Sequence, residues 1–83
     1  MFYVVVNDTA ESTTVQKVAF TNGFSWSDPV ALDVKDIPSC SDYDFPIRIF
    51  IKDDGKMGYG PDKPHPNGLD AACNRINIKG ELV

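Results

Sequence analysis

Long apolar runs, clustered basic residues and helical periodicity are missing from this 83-residue chain, and histidine occurs once. Each absence narrows what the protein can be. The apolar start, Met1 to Val6, falls far short of the ~20 residues that span a bilayer. It also lacks a basic leader, so it is neither a signal peptide nor a membrane span. Membrane insertion is not expected. Eight Lys and Arg stand against twelve Asp and Glu, for a net charge of −4. The cations are scattered from Lys17 to Lys79 with acids between them, so the basic face that would displace counterions from phosphate is lacking. No nucleic-acid partner and no polybasic lipid anchor are expected.

Signatures of chemistry are as scarce. His65 lies between two prolines in a polar stretch, where neither burial nor packed support can tune its ring. There is no Gly-x-Ser-x-Gly elbow, and the glycines of "GKMGYG" form neither a phosphate-binding nor a dinucleotide loop. Asp42, Asp44, Asp53, Asp54, Asp62, Asn67 and Asp70 could offer oxygen ligands to Ca²⁺, but not in EF-hand order. The expectation is therefore a protein with no catalytic residue, no metal and no cofactor. The alternative is a minimal hydrolase, such as a small ribonuclease using His65, a Glu (Glu11 or Glu81) and Arg48.

With only Cys40 and Cys73 present, one intramolecular pairing is possible. A bridge closing a loop of that length would contribute about 3.7 kcal/mol, a large share of a small domain's stability. The pair is expected to be bridged, which implies an oxidising compartment. Asn7-Asp8-Thr9 has the N-x-T pattern, so Asn7 is a candidate for glycosylation. The expected localisation is secreted, as a mature chain whose leader is replaced by Met1.

What is present is strand signal. Phe2–Asn7 is β-branched and aromatic, and ends in turn formers. "TTVQKVAFT", Thr13–Thr21, is followed by Asn22-Gly23 and Phe24–Ser27, the pattern of a β-hairpin with a two-residue turn. Val30–Lys35 alternates with Val30, Leu32 and Val34 on one side, and Pro46–Lys52 with Ile47, Ile49 and Ile51. Ala71–Lys79 makes a last strand with Ile76 and Ile78 inward. The predicted fold is all-β: a small five- or six-stranded antiparallel sandwich or open barrel, one domain over 1–83, with one disulfide and a long Pro/Gly-rich loop.

That loop, Asp53–Asp70, is eighteen residues long, against the about 4–6 of an ordinary connection. Its prolines stiffen it and its glycines turn it. The expected function is a non-enzymatic secreted binding protein of effector, toxin, inhibitor or lectin type. Recognition is assigned to Lys56, Met57, Tyr59, Lys63 and His65 of the loop, with Phe24 and Trp26 of the hairpin, and the ligand to a protein or a carbohydrate.

Overall fold

The computed structural model describes residues 1–27, 31–37, 43–64, 68, 71 and 73–83. Along the chain come β1 (Phe2–Val6), α1 (Thr9–Thr21), β2 (Ser25–Trp26), β3 (Ile47–Ile51), β4 (Lys56–Pro61) and β5 (Asn74–Ile76). They form one mixed sheet of order β2-β4-β3-β1-β5, with the helix against one face. The all-β antiparallel expectation is wrong on two counts. The supposed first arm of the hairpin is α1, and β5 and β2 pair parallel to β1 and β4.

The helix forms because both of its ends are capped. Asp8 is extended (φ −156°, ψ 174°) and its carboxylate accepts from the Glu11 N–H at 2.8 Å. Glu11 reaches back to accept from the Asn7 N–H, also at 2.8 Å, a variant of the capping box displaced by one residue. At the far end Asn22 is the C-cap and Gly23 has φ 90°. The Gly23 N–H donates to Phe20 O and the Phe24 N–H to Ala19 O, which is the Schellman pattern. Asn-Gly ends a helix here; it does not turn a hairpin. Gly23→Ala tests this directly. A Cβ there meets no atom within 4 Å, so its cost is backbone alone. We expect a loss of about 1 kcal/mol, seen as a lower urea midpoint at constant slope. An unchanged midpoint would contradict the motif.

Residues directly opposite in the ladders share a face. Val4 lies opposite Ile49 and Val6 opposite Ile47, while Ile49 lies opposite Tyr59 and Ile51 opposite Met57. Trp26 joins this face opposite Met57, and Ile76 opposite Val4. Onto it α1 lowers Ser12, Val15, Gln16 and Ala19, one turn apart on a single stripe. Ile47 and Ile49 are fully buried, as their alternation predicts. Of the expected Val30–Lys35 strand, the described residues 31–35 form none: Leu32 is 61% and Val34 40% exposed, and Val30 lies outside the described residues. Ala31 and Ile37 pack inward instead, which is the opposite parity.

The long loop is also corrected. Lys56–Pro61 is an interior strand between β2 and β3, so the connection after β3 is a tight turn. On the face away from α1, Gly58 lies opposite Phe50, which is buried, and Gly60 opposite Arg48; a Cβ at Gly60 would make only an ordinary 3.9 Å contact with the Phe50 ring. Residues 62–73 then join β4 to β5. These strands run the same way, and such a crossover takes a dozen residues or more. Length that resembled a recognition finger is set by topology. Among the described residues no disulfide is seen, and Cys40, which the expected bridge needs, lies outside them.

Candidate functional site

A helix about 10–12 Å across covers about two strands spaced about 4.8 Å apart. This sheet has five. On the β4–β2 side the deficit is filled by residues 31–37, with Ile37 fully buried beside Trp26 and Met57. Gln16 fastens this segment. Its Oε1 accepts from the Lys35 N–H at 2.7 Å and from Trp26 Nε1 at 3.2 Å, while its Nε2 donates to Lys35 O at 2.9 Å and to Ser12 Oγ at 3.0 Å. A side-chain amide thus pairs with a backbone as a neighbouring strand would.

On the β1–β5 side no described residue plays that part, and a cleft of ≈ 330 Å³ opens. Its walls come from α1 (Val15, Val18), the residue that the Schellman motif fixes (Phe24), β1 (Phe2), β5 (Ile76) and Ile78. Phe2 and Val18 are 40% and 52% exposed, so apolar surface continues from the hollow to its lip. The mouth is polar, with Asn22, Asn77 and Lys79. Among the described residues lining the cleft Lys79 is the one charged residue, and none of the others carries a hydroxyl, thiol, imidazole or carboxylate. This lining can hold an apolar group but has no acid–base pair.

The segment carrying Lys79 is a built turn. Asn77 Oδ1 accepts from the Lys79 and Glu81 N–H groups at 2.9 and 3.0 Å, and the Asn77 N–H donates to Glu81 O at 2.8 Å. Gly80, at φ 84°, closes it.

Of the described residues assigned to recognition from sequence, Trp26, Met57 and Tyr59 come together, but in or against the core and away from the cleft. Met57 and Trp26 are 3% and 2% exposed, inside the core. Tyr59 is half-buried, edge-on to Trp26 at 5.8 Å and to Tyr43 at 6.2 Å. Lys35 Nζ lies 5.4 Å from the Trp26 ring centre, so that end of the cluster is covered from within the chain. Lys56 and Lys63 are exposed, and His65 lies outside the described residues. Among the described members of the set only Phe24 lines the cleft. Of the hydrolase set, Arg48 Nε is bonded to Asp62 Oδ1 at 2.9 Å and stacks over Tyr3, while Glu11 caps the helix. Among the described residues no group of three or more metal-ligating side chains occurs. Asn7 is exposed, with its Nδ2 donating to Glu11 Oε1 at 3.2 Å.

Val18 and Lys79 were not singled out from sequence. The signal for the first was there: Val15, Val18, Ala19 and Asn22 have helical spacing once 9–21 is read as a helix. No protein-family model, curated protein or solved structure matches the chain.

Proposed function

We propose that this is a non-enzymatic binding protein of the secreted type, and that it takes an apolar part of its ligand into the cleft between α1 and β5. One observation carries the reading: the ≈ 330 Å³ hollow is lined mainly by apolar side chains, two of which, Phe2 and Val18, stay exposed beside the polar Asn22, Asn77 and Lys79. Ligand sites have this character, a concave apolar lining with a few polar groups at fixed places. Continuous exposed apolar surface is otherwise costly on a small chain. The secreted assignment rests on the accessible Asn7-Asp8-Thr9 acceptor pattern.

The test uses a neutral solvatochromic dye, Nile red, on the folded protein and on Val18→Arg. Val18 is 52% exposed, so its replacement should change stability by no more than about 0.5 kcal/mol. An arginine there brings bulk and charge across the lip. Dye affinity is expected to fall about tenfold or more while the thermal midpoint holds. Undiminished dye binding by the variant would remove the cleft as the site.

A further inference from the structure

We propose that the occupant of the cleft is an amphiphile with an anionic head, an aliphatic carboxylate, whose chain enters the hollow while its head meets Lys79. This rests on the reading of the cleft as a binding site and names the chemistry of what it takes. The first support is the distribution of polarity. Most of the described lining is apolar, and its only charge is one cation, on the exposed Lys79 at the mouth. In a chain with four more acids than bases, that sign runs against the average.

A second support is that Lys79 makes no ion pair among the described residues. Lys79 also borders the neighbouring depression, which Arg75 and Glu81 line, but Glu81 does not line this cleft and forms no ion pair with Lys79. The third is preorganisation. Asn77 Oδ1 holds the Lys79 backbone in a fixed turn, so the position from which the side chain starts is set before a ligand arrives. With that oxygen occupied by two N–H groups, Asn77 Nδ2 has no partner among the described residues and is a second donor at the same mouth. Two donors beside an apolar hollow suit a carboxylate with a hydrocarbon tail. A neutral alcohol of equal length would use the hollow and leave the charge idle.

The experiment compares decanoate with decanol by calorimetric titration, on the wild-type chain and on Lys79→Gln. Wild type is expected to bind decanoate about fivefold more tightly than decanol, the size of one partly exposed ion pair. In Lys79→Gln that preference should vanish, with decanol affinity unchanged. The preference should also shrink as salt rises. Equal binding of the two ligands by wild type, or a preference that survives Lys79→Gln, would overturn the anionic head and leave the apolar cleft standing. Failure of both to bind, in a protein whose Nile red binding is lost in Val18→Arg, would also overturn it and point to apolar side chains of a partner protein. If both fail and Nile red ignores Val18→Arg, the cleft reading falls as well.

Discussion

Replacing Gln16 with leucine is expected to lower the unfolding free energy by about 2–5 kcal/mol. Leucine keeps much of the volume, so the change removes polar partners more than packing. Gln16 is fully buried, and its loss strands Trp26 Nε1–H, the Lys35 N–H and the Lys35 carbonyl at once. A buried group left without a partner costs about 1–3 kcal/mol. Lys35 is only half-buried, so water can recover part of its share and the total stays below the simple sum. Urea unfolding followed by Trp26 emission should show a lower midpoint and an altered native baseline, since the indole itself has lost an acceptor. Amide exchange should quicken over 31–37 more than over β3. A loss below about 1 kcal/mol would mean that the segment does not depend on Gln16.

Ile49→Ala is expected to cost about 2–5 kcal/mol, with no gain from relaxation. The side chain is fully buried on the central strand β3, opposite Val4 on one side and Tyr59 on the other. Its surroundings are strand backbones held in ladders on both sides, which cannot close over a cavity easily. The midpoint of thermal or urea unfolding measures it. A loss near about 0.5 kcal/mol, the surface range, would place Ile49 outside the core. The two substitutions touch different bonding networks, so the double variant checks whether their costs add.

β3 was legible from sequence because three isoleucines alternate with Arg48 and Phe50, and nothing in that stretch competes. The first strand was legible for the same reason. The helix was not, although its start carries Asp8 with Glu11 three residues on, and its end carries Gly23. Two of the four residues on its buried stripe, Ser12 and Gln16, are polar, so the apolar period that marks an amphipathic helix is half erased. The β-branched Thr13, Thr14 and Val15 then tilt local propensity toward strand. Capping outweighed both. β4 was missed because its outward positions, Gly58 and Gly60, are loop residues by composition. Of the cleft, Ile76 and Ile78 were legible as inward residues. Lys79 was not, because its place at the mouth is set by the Asn77 turn and by a helix lying beside β1.

The outer strands β2 and β5 are two and three residues long. Each is already bridged on its free side, Trp26 to Ala31 and Ile76 to Leu82. Both margins of the sheet therefore offer an incoming chain almost no run of vacant backbone donors and acceptors. Fibril-like stacking and capture of an extended peptide by strand addition both need such a run. At these two margins, association with another chain is thus left to side chains.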